Sequence, residues 1–397
     1  MSETASRPGN RLRVWYRPMR SRDSGEGHRV STPLELLFDL CFVVAVGQAA
    51  AQLHHALGEG HYGHGVLSFV LVFFAIWWGW LNFSWFASAY DTDDVPYRIA
   101  TLVQIAGGLV VAAGVDSAFE RDFQVMVVGY VLMRLAMVSQ WLRAARSDPE
   151  HRVNALTYAA GITIVQLLWI VRLTLPESWA LPSFFVLVLA EFAVPMIAER
   201  RNGTTWHPHH IAERYGLFTI IVLGESVFGA TNAIKEGMAD GEHIAGLASL
   251  AGAGLVLVFS LWWLYFDQPG HARITRGRTS LLTLSSWGYG HFLIFGSAAA
   301  IGAGLELSVD YDTHTAHIAG LPAGMATTIP VAIYLLSVWL LHIGPTNECR
   351  PIAIGFPVTA VLVLAASFGP APIHVTAVLV AALVTLTVIA TRGARIP

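Results

Sequence analysis

The residues of this chain best suited to chemistry are acidic and lie next to aromatic ones. Asp91-Thr92-Asp93-Asp94 packs three carboxylates into four residues, with Arg98 one turn further on. Carboxylates at this spacing can hold an oxygen-seeking cation such as Mg2+. They can also raise one another's proton affinity, so that Asp93 stays protonated as an acid while Asp91 and Asp94 orient it. The Asp-x-Asp-Asp spacing resembles the proton-donor motif of class II terpene cyclases, but four residues are too few to be specific. Loop solvation and helix capping by Asp explain the same residues more simply. A second acidic group comprises Glu35 and Asp39, one helical turn apart, with Glu213-Arg214 and Asp267 as possible neighbours. Trp206-His207-Pro208-His209-His210 precedes Glu213; it reads as a turn before a helix, with His210 able to face Glu213.

A third set is notable for its surroundings. Glu225, Arg134, Glu191, His291 and Gln48 each sit well inside an apolar stretch. An ionisable group in hydrocarbon costs on the order of 2.5–3.5 kcal/mol, so it faces a protein interior or a water-filled cavity. Two roles fit. One is a substrate or proton path, with Glu225 as a proton or cation site and His291 as a relay. The other is structural, with Arg134 paired to Glu191 or to Glu225.

These residues must be positioned by membrane-spanning helices. The chain is 54% hydrophobic and 13% charged, with a mean hydropathy of +0.55; a soluble domain has about 25% charged residues. Twelve apolar stretches reach bilayer-crossing length: 34–56, 65–88, 99–118, 124–142, 155–172, 179–197, 216–233, 245–266, 284–305, 327–343, 351–368 and 373–391. The expected fold is all-α and polytopic, with about twelve transmembrane helices. Alternating the connections puts 20 of the 24 basic residues on one side, from the Arg-rich tail to Arg392 and Arg395. Only Arg121, Arg172 and Lys235 fall on the other side, and Arg134 lies within a span. The positive-inside rule then makes both termini cytoplasmic. The first thirty residues lack the apolar core of a signal peptide. Two cysteines argue against a disulfide framework or a Cys-rich metal site. The excess of Arg over Lys, with abundant Ala, Gly and Val, points to a GC-rich bacterial genome.

The two halves resemble each other in order. Leu40 to Gln48 aligns without gaps on Leu217 to Glu225, Trp77-Trp78 on Trp262-Trp263, and Ala113 to Asp116 on Ala303 to Glu306. The expected organisation is a tail, 1–32, then six-helix repeats 33–198 and 199–397. An even span number gives both repeats one orientation, as in parallel-repeat transporters. The run Trp77, Trp78, Trp80, Phe83, Trp85, Phe86 reads as an interfacial aromatic belt, or as a chamber stacking on a ligand. No phosphate-binding Gly-rich loop, zinc-protease motif or Gly-x-Ser-x-Gly occurs. Nothing beyond the basic tail supports a nucleic-acid partner.

Three segments carry a resemblance to a known family: Thr32 to Gln48, Asp91 to Arg98 and His210 to Ser226. With Tyr130 to Arg134, Trp262 to Asp267 and His291 to Glu306, they look like the bacterial low-temperature-requirement A (LtrA) family over nearly the whole chain. That resemblance implies a polytopic bacterial membrane protein and carries no mechanism residue by residue. The residues favour a secondary transporter or channel for protons or a small solute, with the lipid bilayer and that solute as partners and no certain cofactor. The alternative is an intramembrane enzyme on a lipid-like prenyl substrate, through Asp protonation or Mg2+-assisted diphosphate chemistry.

Overall fold

A computed structural model describes residues 15–22, 30–200, 203–238, 244–267, 281–344 and 349–393. The described residues are helical, without strands. Each of the twelve apolar stretches falls mainly on one helix, with 99–118, 179–197, 327–343 and 351–368 running a few residues past its ends: α1 Pro33–Gly58, α2 Tyr62–Tyr90, α3 Val95–Ala113, α4 Gln124–Ser147, α5 Arg152–Arg172, α6 Ala180–Ala198, α7 Pro208–Met238, α8 Ile244–Phe266, α9 Leu281–Asp312, α10 Gly320–Val338, α11 Arg350–Ala366 and α12 Pro372–Gly393. Among the described residues ten helices are long and apolar enough to cross a membrane, and Arg350–Ala366 is a shorter apolar helix. Arg7, Arg11, Arg13, Arg29, Arg201, Arg273, Arg276, Arg278 and Arg395 of the charge pattern lie outside the described residues.

Local chemistry sets the helix starts. Pro33, Pro208 and Pro372 each occupy the first position of a helix, where the missing N–H costs nothing and φ is already helical. Ahead of α1, Thr32 and Glu35 form a capping box: the Thr32 N–H donates to Glu35 Oε2 at 2.7 Å, and the Glu35 N–H donates to Thr32 Oγ1 at 3.3 Å. Asp94 caps α3, accepting from the Tyr97 N–H at 3.1 Å.

The chain forms two compact units. One comprises residues up to Ala45 together with Ala75–Arg214; the other comprises Val46–Phe74 and Tyr215 onward. Helices α1, α2 and α7 are each shared between them, so compactness cuts the chain differently from the sequence halves. Within the first unit, α3 packs on α4, α4 on α5 and α5 on α6; within the second, α9 packs on α10, α10 on α11, α11 on α12 and α12 on α8.

The expected aromatic belt on α2 is instead interior: Trp77, Trp78 and Trp80 are fully buried. Two of their indole N–H groups have buried carboxylate acceptors, which an interfacial position would not supply. Close helix approach depends on glycine. A Cβ on Gly129 of α4 would lie 2.6 Å from the Gly107 carbonyl of α3, and one on Gly107 would lie 2.7 Å from the Gly129 carbonyl. Small residues at such crossings are how membrane helices gain packing contact.

Because the obstacle at Gly129 is backbone, Gly129→Ala is expected to cost about 1–3 kcal/mol and to lower the thermal midpoint of the detergent-purified protein. Gly252→Ala on α8, where a Cβ meets nothing within 4 Å, is expected to leave the midpoint unchanged or raise it slightly.

Candidate functional site

In the first unit, α1, α2 and α7 bring together a cluster of charge with no exposed surface. The Arg214 guanidinium contacts Asp39 directly through Nη2, lies 3.3 Å from Glu35 Oε1 through Nη1, and donates to Ser84 Oγ at 3.1 Å. Trp80 Nε1 donates to Asp39 Oδ1 at 2.7 Å. His210 Nε2 lies 3.2 Å from Glu35 Oε1, so His210 faces Glu35 and not Glu213 as the sequence suggested. Glu35, Asp39, His210 and Arg214 are all fully buried. Two carboxylates here face one guanidinium and one imidazole. These four side chains taken together are therefore neutral when they hold one exchangeable proton, on His210 or on an acid. The turn before α7 positions it: the His207 N–H donates to Ser88 Oγ at 3.1 Å, and the His210 N–H to His207 Nδ1 at 3.3 Å. Glu213 is half-buried beside this cluster in sequence, and Asp267 is exposed at the end of α8.

The Asp-Thr-Asp-Asp segment is divided among three arginines. Asp93 forms a two-point pair with exposed Arg98, at 2.8 and 2.9 Å. Asp94 pairs with Arg143 and accepts the Arg17 N–H at 2.7 Å. Asp91 lies 3.8 Å from Arg22 and accepts the Asp93 N–H at 3.0 Å. Asp93 has φ of 44°, a left-handed conformation that Asp tolerates better than most residues. Among the described residues no group of three or more His, Cys, Asp or Glu side chains is arranged to hold a metal ion. The segment's visible work is to cap α3 and fasten residues 15–22. Asp148 assists, accepting the Ser21 N–H at 3.2 Å and facing His151 Nδ1 at 3.0 Å.

Arg134 pairs with Glu191 at 3.1 Å. Glu191 also accepts from Trp78 Nε1 at 2.8 Å and Trp169 Nε1 at 3.2 Å, so its carboxylate is filled by three donors.

The second unit holds Glu225, Gln48 and His291. Glu225 is half-buried on α7, with its carboxylate filling the place a side chain would take at Gly47 of α1. Among the described residues it forms no ion pair or hydrogen bond. Gln48 is exposed. His291 is fully buried. Its Nδ1 lies 2.8 Å from the Trp287 carbonyl and must donate to it, which leaves Nε2 as acceptor for Tyr265 Oη at 3.2 Å. His342 Nε2 lies 3.4 Å away, and Tyr215, Trp287 and Phe295 surround the ring.

Sequence reasoning missed Glu306, His54 and Asp310. The Glu306 carboxylate fills the space at Gly229, one turn beyond Glu225 on α7. His54 Nδ1 lies 3.6 Å from Glu306 Oε2, and its Nε2 lies 2.7 Å from Asp310 Oδ2. Two spacings carried the signal: Glu306 and Asp310 share a face of α9 at i,i+4, and Gly47 and His54 share one of α1 two turns apart.

The family model for the bacterial low temperature requirement A protein (LtrA) matches residues 30–390. The chain belongs to the LtrA family. A protein of Rhizobium meliloti (strain 1021), named Uncharacterized protein RA0937, is 28% identical over 306 residues, covering 72% of this chain and 71% of that protein. No solved structure matches. Among the segments that carried the LtrA resemblance, Thr32 to Gln48 and His210 to Ser226 supply the buried cluster, together with Gly47 and Glu225.

Two outcomes follow. Arg214→Met leaves Glu35 and Asp39 buried without their guanidinium and is expected to cost about 3–5 kcal/mol; adding Asp39→Asn should recover part of that in thermal unfolding. Asp94 and Asp148 lie outside the spans. Burial raises the pKa of each, but donors overcome it: Arg143 with the Arg17 and Tyr97 N–H groups for Asp94, Ser21 and His151 for Asp148. Both end below the ordinary carboxylate value. A depressed folded-state pKa contributes stability above the unfolded value of about 3.9, lost as pH falls through the folded one. A spin label at position 20 should therefore stay immobile near neutrality and become mobile below about pH 4. In an Asp94→Asn, Asp148→Asn double variant it should be mobile throughout.

Proposed function

We propose that this protein is a secondary transporter, moving protons or a proton-coupled small solute across the bacterial cytoplasmic membrane with both termini on the cytoplasmic side. The observation that carries this reading is Glu225. An acid midway along a membrane helix is ordinarily neutralised by a neighbour, as Glu191 is by Arg134. Glu225 instead rests against the bare backbone of Gly47 and forms no ion pair among the described residues. A carboxyl group held by shape can gain or lose a proton without breaking a salt bridge, which is what a transport site for protons requires. The fully buried Glu35–Asp39–His210–Arg214 cluster, whose four side chains are neutral together when they hold one exchangeable proton, supports the same reading. The sidedness of basic residues supports the orientation. The enzymatic alternative gains no convergent acid or cation group from Asp91, Asp93 and Asp94, each of which serves a different arginine.

The experiment is proton flux in proteoliposomes, read by an internal pH dye under an imposed gradient. Wild type should acidify its lumen, and Glu225→Gln should reduce the rate at least about tenfold, in line with the loss of one acid–base group. Equal rates in wild type, Glu225→Gln and protein-free vesicles would sink the reading.

A further inference from the structure

Glu225 lies deep in its helix, and a proton reaching it from bulk water needs intermediate stations. We infer that Glu306, His54 and Asp310 form a proton-binding relay joining Glu225 to a histidine-lined vestibule, which makes the proton itself a substrate of this site. The inference rests on the transport reading and extends it to residues outside that reading.

The stations follow one another within the second unit. Glu225 and Gly229 lie four residues apart on α7, one turn or about 5.4 Å along the axis. The Glu306 carboxylate occupies the space at Gly229, so the first step, from Glu225 to Glu306, joins two acids that meet α7 one turn apart, with water as the carrier between them. The second step is between side chains: Glu306 Oε2 and His54 Nδ1 are 3.6 Å apart. The third is a hydrogen bond, His54 Nε2 to Asp310 Oδ2, at 2.7 Å. The two nitrogens of one imidazole thus face two different carboxylates. An imidazole in that position can take a proton at Nε2 and release the one on Nδ1, and each further proton passes once the ring has tautomerised or turned back.

The relay ends in a cavity of about 680 Å³ where the α1–α2 turn meets the segment after α9. Its wall includes His54, His55, Glu59, His61, Asp310 and His317. Glu59 is itself paired with His55 and His61, each at 3.3 Å. The groups facing His54 are therefore Glu306 and Asp310 from α9, with His55, Glu59, His61 and His317 around the mouth. His54 both lines the cavity and faces Glu306.

The test uses full-length protein reconstituted with one sidedness and two readouts: net flux by internal dye, and the infrared carboxyl band of Glu225, assigned by its loss in Glu225→Gln, after a pH jump on the vestibule side. With His54→Ala, both should slow at least about tenfold and recover on adding millimolar imidazole. With Glu306→Gln both should slow without rescue. His374→Ala, whose ring bonds Ser249 away from this line, should match wild type. A Glu225 band that follows the pH jump at the wild-type rate in both His54→Ala and Glu306→Gln overturns the relay, whatever the flux. A band slowed in those variants while wild type shows no net flux supports the relay and defeats the transport reading instead.

Discussion

A guanidinium with no exposed surface must be neutralised by the chain itself, and Arg214 dictates what surrounds it. Taking a charge out of water is repaid only when partners and hydrogen bonds are close and complete. Glu35 and Asp39 supply the opposing charge, Ser84 accepts from the guanidinium, Trp80 donates to Asp39, and Phe83 lies under the guanidinium with its ring centroid 5.8 Å away. Each requirement reaches into local structure. Glu35 is also the glutamate of the capping box that starts α1, and His210 is held by the turn that starts α7. The beginnings of two long helices and a buried ion pair are thus one construction, and changing Arg214 disturbs all three.

The half-buried acids Glu225 and Glu306 of the second unit are held on a different principle. Glu191 in the first unit is filled by three donors, which fixes its position. Glu225 and Glu306 instead occupy the space left by Gly47 and Gly229. A glycine cavity constrains where a carboxyl group lies by shape, and Glu306 also lies 3.6 Å from His54 Nδ1. Any side chain at Gly47 would overlap the Glu225 carboxylate, so this position is occupied by shape alone. The contrast separates groups that lock the fold from groups able to change state within it.

Hydropathy made the twelve helices readable because bilayer thickness sets a minimum apolar length that few other folds imitate. The capping residues were readable too: Asp94 before Val95-Pro96, and Thr32 three residues before Glu35, are local patterns. Pairing over long separations was not. Nothing near Arg214 in the sequence points to Asp39, 175 residues away, and Arg134 had two acids of equal promise until packing chose Glu191. Gln48 was placed on the path by its alignment with Glu225, yet the adjacent Gly47 makes the contact. One position along a helix turns the side chain by about 100°, and no alignment of apolar segments resolves that. His54, Glu306 and Asp310 were overlooked because they lie near helix ends, where polar residues are ordinary.

The same end position explains why His54 can matter. A histidine in mid-span would be costly as a cation, and one in a loop would be unconnected to the interior. His54, four residues from the end of α1, is half-buried, with Glu306 on one side and Asp310 on the other. Its single positive charge can balance one of these acids at a time. If both acids are ionised, the trio carries net negative charge; if His54 is neutral, that excess grows. The trio is neutral when two protons are held among the three, and moving one of them between members changes no net charge. Under the proposed relay, a group of this composition would hold protons beside the cavity without the desolvation cost of an isolated charge.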